Sequence, residues 1–441
     1  MCAIFGVFHA PKAAELVAIG LHSNQHRAID YAGIVSSDGQ NLYRECGPGL
    51  SRQVFTSEKL NRLHGQSAIG HIRYPTVSDN PTRDNTQPVM GIYNNVPIAM
   101  AHNGNITNTL ELSRNFPDLK PATSLDTEFI LRLLRAHSTG NIEEDIRSVS
   151  KLLQGSFTLG ILLPDRLIAV RDKSGNRPLS IGEMNGGYCI SSETCAFPAV
   201  GARHVADVAA GTIVTISSSG LATTQMTEAC EKKCRFEIIY NSHPGSVVYG
   251  EGVARFRMRI GETLEKLFPV PGADIVTPVP DSSNFMAAGF AKSGRSGEYF
   301  QVIIRSHYAG RSFIAANQAK RDDEVAHKFT FVPEEIKGKV IVVIDDSIMR
   351  GTTLPKVVRE LKLLGARAVH VRIGSPPNKY SCRYGIHTPT NEELVSSSLC
   401  SEEIRKLVGA DSLEFLPLEA LKSLSPNPET FCFACMNGEY W

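Results

Sequence analysis

Residues 339–353, Lys339-Val-Ile-Val-Val-Ile-Asp345-Asp346-Ser347-Ile-Met-Arg350-Gly351-Thr352-Thr353, decide the architecture of the second half of this chain. The β-branched apolar run reads as a buried strand, and it ends in two adjacent carboxylates. A short loop of small and hydroxyl residues follows. A helix then begins, with Pro355 in its first turn and Leu354, Val357, Val358, Leu361 and Leu364 at helical spacing. The strand thus delivers Asp345 and Asp346 to its carboxyl end, where the loop's N–H groups face a helix start. Such a loop suits a sugar phosphate: hydroxyls and N–H groups take the phosphate while carboxylates accept from ribose hydroxyls.

Outward from this loop, strands and helices alternate from about residue 250. The pattern predicts helices over 251–267, 282–292 and 354–364, and strands over 274–278, 301–305, 339–344 and 368–373. Alternation of this kind implies an α/β parallel sheet with helices on both faces. A second loop, Val276-Thr-Pro278-Val-Pro280-Asp281-Ser282-Ser283, belongs to the same sheet. Its prolines stiffen it, and Asp281-Ser282 is placed to cap the next helix, leaving N–H groups for an anion such as pyrophosphate. Arg305-Ser306-His307-Tyr308, Gly310-Arg311 and Arg321 add positive charge, and Lys328 lies in a long polar connection of the kind that closes as a lid.

Residues 1 to about 228 have a different texture, with many short strands and turns. Helices are expected at Lys12–Gln25 and from Asp126 onward, where Phe129, Ile130, Leu133 and Leu134 share a face. The Ser/Thr-rich, then charged, stretch 216–233 is the natural boundary, giving two domains over 2–228 and 229–441. With 441 residues, 42% hydrophobic content and a formal net charge of +1, the chain is an ordinary globular protein with no electrostatic reason to bind nucleic acid or a membrane. The N-terminus lacks a secretory signal, and ten scattered cysteines form no disulfide framework, so a reducing cytoplasm is expected.

Cys2 follows the initiator methionine. Removal of Met1 would put a thiol and a free α-amine on one residue, and an amine with a reference pKa of about 7.7–8.0 is a usable general base. Gly70-His71-Ile-Arg73-Tyr74-Pro75-Thr76 supplies an arginine able to clamp a carboxylate, and Ala101-His102-Asn103-Gly104-Asn105 an amide and an N–H for an oxyanion hole. Asp126 is placed to bind an ammonium group. Cys432-Phe-Ala-Cys435 is a CxxC that needs partners from elsewhere, with Cys234 and Cys382 available; spacing alone leaves redox, zinc or idle thiols open.

These motifs resemble two known families joined in one chain. The first half is similar to class II (N-terminal nucleophile) glutamine amidotransferases, which have an αββα sandwich fold. Gln25-His26-Arg27, Arg171-Asp172-x-x-Gly175-x-Arg177-Pro178-Leu179 and Ser192-Glu193-Thr194-Cys195-Ala196 extend that likeness over most of 2–200. The second half resembles a type I phosphoribosyltransferase, through residues 341–353, Pro278–Ser282 and Tyr308–Ile314. The pair together resembles the amidophosphoribosyltransferase family. That resemblance implies Cys2 as nucleophile, Asn103 and Gly104 as oxyanion hole, and Arg73 and Asp126 as ligands of glutamine. It implies that phosphoribosyl pyrophosphate is bound by Asp345, Asp346, Ser347, Arg350, Gly351, Thr352, Thr353, Arg305 and Lys328, with Mg2+ at Ser283, Asp345 and Asp346 and with Asp281 and Ser282 nearby. The sequence around Cys234, Cys382, Cys432 and Cys435 resembles the family's iron–sulfur branch, which implies a [4Fe–4S] cluster as a structural staple, with zinc as the competing occupant.

The implied reaction uses ammonia from glutamine to displace pyrophosphate and form 5-phosphoribosylamine, the first step of purine synthesis. A homotetramer controlled by purine nucleotides is implied too. Ala28, Leu125 and Arg305-Ser306-His307 depart from the family's usual residues, and position 307 loses a permanent charge. The substitutions around 305–307 motivate an alternative, a non-catalytic regulatory paralogue that binds phosphoribosyl ligands or nucleotides. No propeptide is expected before Cys2.

Overall fold

A computed structural model describes residues 2–74, 85–119, 121–184, 186–306 and 328–441. The sequence-predicted Tyr308–Ile314 motif, His307, Arg311, Arg321, Pro75 and Thr76 lie outside the described residues.

The first half contains two antiparallel sheets. One orders its strands 203–207, 180–184, 187–191, 3–8, 67–73, 31–37 and 42–48. The other runs 220–225, 212–217, 166–171, 155–163, 96–106 and 89–93. Side-chain alternation along Ala3–Phe8 explains why all six of its residues are buried. Ile4 and Phe8 point between the sheets, with Ile69, Ala99, Ala101, Leu167 and Ala169. Phe5 and Val7 point outward onto the helix Ala13–Ser23, through Val17 and Leu21. On the far side, Phe129, Ile130, Leu133 and Leu134 of the helix Asp126–Ala136 cover the second sheet. The layering is the expected αββα sandwich.

The second half is built on five parallel strands in the order 298–299, 275–278, 340–345, 368–373 and 412–415. Val342 and Ile344 enter the core shared with helices Val253–Leu267 and Asn284–Ala291. Ile341 and Val343 enter the opposite core with the helix Thr353–Leu363. A strand buried on both faces accounts for the unbroken apolar run that begins the sequence reading.

One expectation needs correction. The strand expected at 301–305 is Ile303–Arg305, and it leaves the parallel sheet to pair antiparallel with Phe329–Phe331. Its departure is set by Thr277, whose hydroxyl accepts from the Val302 N–H at 3.1 Å in place of a ladder bond. Within the boundary stretch, Gly220–Gln225 pairs with Thr212–Ser217 as the edge hairpin of the second sheet. Its polar composition belongs to a solvent-facing strand. Helices Ile142–Ser150 and Ser401–Val408, and the strand Ser412–Phe415, were not read from sequence. Among the described residues no helix is long and apolar enough to cross a membrane.

Candidate active sites

Strand register assembles the first site. Ala3 pairs with Ile72 across antiparallel strands, so one step further Cys2 lies opposite Arg73. Arg73 is buried, and its Nη1 donates to the carbonyl of Asn85. From the facing sheet comes Asn103, only 1% exposed, whose Nδ2 donor has no hydrogen-bond partner. Gly104 follows, and it must be glycine: a Cβ there would lie 2.1 Å from the Ser156 carbonyl oxygen. Buried polar groups are nearly always paired, so the orphaned Asn103 amide N–H is a donor open to an incoming acceptor.

Two histidines hold this strand, and sequence reasoning assigned neither a role. Burial, followed by the charge of Arg73, pushes the His71 pKa down to about 3. Its ring is therefore neutral, and Nε2–H donates to the His102 carbonyl at 3.0 Å, bridging the two sheets one peptide before Asn103. Asp126, expected as an ammonium ligand, lies 3.1 Å from His102 Nδ1 and accepts from the Ile106 N–H at 3.3 Å. Burial works against both charges of this pair. Their mutual attraction prevails, so the His102 pKa is raised and the Asp126 pKa lowered. Cys2 also acts electrostatically on His102, whose buried ring is held by the Ser156 backbone as well. No motif spacing marks this pair, whose members stand 24 positions apart in the chain.

The Arg27, Arg177 and Glu193 motifs carry a buried ion chain. Arg27 Nε donates to the Cys2 carbonyl at 2.9 Å. Its Nη1 meets Glu193 at 2.5 Å and also Glu237. Glu237 in turn bonds Arg177 Nη1 at 2.9 Å. All four side chains are fully buried. Two cations balance two anions, which is the condition for tolerating charge in a core.

The second site lies at the carboxyl end of the parallel sheet. Asp345 ends its strand and Asp346 follows, both buried. Burial and, for Asp345, the neighbouring Asp346 push both pKa values up. Ser282 and Ser347 hydroxyls donate to Asp346 at 2.5 and 2.7 Å. Ser282 is thus the hydroxyl at the carboxylates, whereas the Ser283 hydroxyl, expected at Mg2+, is buried and donates to the Val279 carbonyl. Gly351 has a φ of 66°, the left-handed turn that opens the loop before the helix at Thr353. Arg350 pairs with Glu393 at 3.2 Å, and Arg305 with Asp281 at 2.6 Å. Neither guanidinium is brought onto the carboxylate pair. Lys328 exerts its charge on Asp345, and Thr352 stands at the N-cap position of the helix without a side-chain capping bond. Arg257, unnoticed in the sequence, is buried beneath the site, where it donates to the carbonyls of Ile238, Tyr240, Ser242 and Ser282. Burial lowers its pKa to about 10.

Between the two sites, Cys234, Cys382, Cys432 and Cys435 line one small cavity with Arg177 and Tyr384. A parallel strand pair sets Cys234 beside Cys432. Burial pushes Cys234 up to about 11, and Cys432 and Cys435 further. Among the described residues no three His, Cys, Asp or Glu side chains are grouped to hold a single metal ion.

Comparison with known proteins agrees with this geometry. Residues 76–199 match the family model of a glutamine amidotransferase domain. The chain is 41% identical to the chloroplastic amidophosphoribosyltransferase of Glycine max, covering 100% of this chain and 78% of the relative. It is 37% identical to the amidophosphoribosyltransferase of Bacillus subtilis, covering 100% and 94%. A solved glutamine phosphoribosylpyrophosphate amidotransferase from B. subtilis, complexed with ADP and GMP, superposes with a TM-score of 0.93 at 37% identity, over 100% of this chain and 97% of that one. By identity and coverage throughout its length, this chain belongs to the amidophosphoribosyltransferase family.

Proposed function

We propose that the two sites divide the reaction as follows, with residues 2–228 and 229–441 as the two domains. With Met1 removed, the Cys2 thiolate attacks the side-chain carbonyl carbon of glutamine. Asn103 Nδ2–H and the Gly104 N–H take the oxyanion, and the α-ammonium of Cys2 returns its proton to the departing ammonia. Arg73 holds the glutamine carboxylate. Asp126, kept ionised by His102, accepts from the ammonium group. Water, deprotonated by the same α-amine, then cleaves the thioester and releases glutamate.

Ammonia passes within the protein to the second site, because in water it would be protonated and lose its lone pair. There it attacks C1 of phosphoribosyl pyrophosphate as pyrophosphate leaves. Asp345 and Asp346 hold the ribose hydroxyls, while Ser347 and Arg350–Thr353 cradle the 5-phosphate. Asp345 and Asp346 are also the carboxylates present to hold Mg2+, whose chemistry is to offset the charge of the pyrophosphate. For the cysteine cavity, Cys234, Cys382, Cys432 and Cys435 line one space together and would be the residues to hold a [4Fe–4S] cluster, an all-thiolate donor set that also suits zinc. Such a cluster would cross-link the strand at 233–234, the 382 loop and the C-terminal segment, with no redox step in the reaction. The same reading includes a cytoplasmic homotetramer regulated by purine nucleotides, the regulation supported by the ADP and GMP bound to the B. subtilis relative.

The observation that carries this reading is the buried, unpartnered Asn103 amide next in the chain to His102, a residue close enough to feel Cys2 electrostatically. Cys2→Ala tests it. Glutamine-dependent phosphoribosylamine formation is lost and ammonia-dependent formation is kept; equal loss of both would refute the division of labour.

A further inference from the structure

The loop that carries Cys382 does more than border the cysteine cavity. It lies directly on the oxyanion strand. Asn105 Nδ2 donates to the Arg383 carbonyl at 2.8 Å, and Ser156 Oγ to the Tyr384 carbonyl at 3.0 Å. The next residue, Gly385, has a φ of 102°, which side-chain-bearing residues rarely adopt. A Cβ there would sit 2.8 Å from the Gly104 carbonyl carbon, 2.9 Å from its oxygen and 3.0 Å from its Cα. Two glycine backbones therefore touch across the boundary, and one belongs to the oxyanion hole.

The far side of the same loop is tied down. The Tyr384 N–H donates to Cys382 Sγ at 3.4 Å, and the Tyr384 ring stacks on Trp441 at 3.6 Å. Arg177 Nε donates to the Tyr384 carbonyl at 3.0 Å, which joins the loop to the buried ion chain ending on the Cys2 carbonyl. Both halves of the glutaminase site, nucleophile and oxyanion hole, are thus braced against one loop beside the four thiols.

We propose that Gly385 is a positioning residue for glutamine hydrolysis: the Cys382–Gly385 loop, seated by the cysteine cavity, sets the place of the Gly104 peptide. This rests on the assignment of Asn103 and Gly104 as the oxyanion hole. Gly385→Ala forces Gly104 to move by a few tenths of an ångström or more. Misplacement of a catalytic group by about 1 Å costs about 100-fold, and loss of one oxyanion donor about 100- to 1,000-fold. A fall of about 10- to 100-fold in kcat for glutamate release is therefore expected.

The test measures three quantities on the full-length protein as purified: kcat and KM for glutamine, ammonia-dependent phosphoribosylamine synthesis, and the rate of Cys2 alkylation by iodoacetamide. A positioning role predicts that glutamine kcat falls while its KM, the ammonia-dependent rate and the alkylation rate stay within about twofold. Asn105→Ala with Ser156→Ala removes two anchors of the loop without adding volume, and predicts a smaller loss of the same signature, about 3- to 10-fold. The double variant keeps the idea testable if Gly385→Ala does not fold. Native-like glutamine kcat in the variants, or parallel loss of all three quantities, overturns the proposal. Failure of the underlying reading is distinguishable, since the native protein would then show no glutamine turnover.

Discussion

Replacing Asn103 with leucine separates catalysis from stability more cleanly than any other change at the glutaminase site. The side chain is 1% exposed and its Nδ2 donor lacks a partner. A buried polar group left unmet costs about 1–3 kcal/mol, and that cost is recovered only when the oxyanion forms. Leucine is close to asparagine in shape and carries no donor, so Asn103→Leu is expected to fold with equal or greater stability. The gain is bounded by about 1–3 kcal/mol, less whatever strain the branched methyls introduce. Activity moves the other way. Loss of one oxyanion donor corresponds to about 2.7–4 kcal/mol in the barrier, or about 100- to 1,000-fold in kcat. Glutamate release at saturating glutamine, ammonia-dependent synthesis and thermal unfolding of the same preparation provide the assay. The expected pattern is a large loss of the first with the other two maintained. Glutamate release within threefold of native, or a loss that tracks a lowered Tm, would refute the reasoning.

Other expectations follow from the buried charges. Glu237→Gln leaves Arg27 and Arg177 facing each other through a neutral amide, and breaking such a pair is expected to cost about 3–5 kcal/mol, read as a lower denaturation midpoint. Folding raises the pKa of Asp345 and Asp346, so each carboxylate takes its proton more readily folded than unfolded. Their contribution to stability is therefore favourable at low pH and is lost as pH rises from the unfolded value of about 3.9 through the raised folded value. Asp345→Asn should accordingly raise stability at pH 7.5, with little effect near pH 3, while it weakens phosphoribosyl pyrophosphate binding; unchanged stability at both pH values contradicts the cause given. The His102–Asp126 pair behaves oppositely at its acid limb. Asp126 loses its stabilising charge as pH falls below about 3.9 toward its lowered folded value, so Asp126→Asn should flatten that part of the stability profile.

The sequence made the second half legible because a strand buried on both faces has to be continuously apolar, and Val340–Asp345 is. The thiol, Arg73 and the Asn103-Gly104 pair stand out in the sequence because each is a residue type suited to chemistry. Contacts between distant segments left no such mark. The His102–Asp126 pair, the His71 bridge and the Arg27–Glu237–Arg177 chain depend on register and on the face each strand presents. Ser282 and Ser283 illustrate the limit at its sharpest. Adjacent and chemically identical, they differ only in the direction of their hydroxyls, one reaching Asp346 and the other the Val279 carbonyl. The strand at 303–305 was misplaced for a related reason, since its apolar pattern does not reveal that Thr277 diverts it. Resemblance supplied the four cysteines as a set; spacing showed only Cys432 and Cys435.

The central claim is that nitrogen freed at residue 2 reaches the sugar without entering solvent. Isotope competition tests it most directly: the enzyme turns over glutamine labelled with 15N in its side-chain amide, in the presence of excess unlabelled ammonia, and the phosphoribosylamine formed is trapped and weighed by mass spectrometry. Product carrying 15N at nearly the enrichment of the glutamine supplied is expected. Product diluted to the isotope ratio of the bulk ammonia would contradict it.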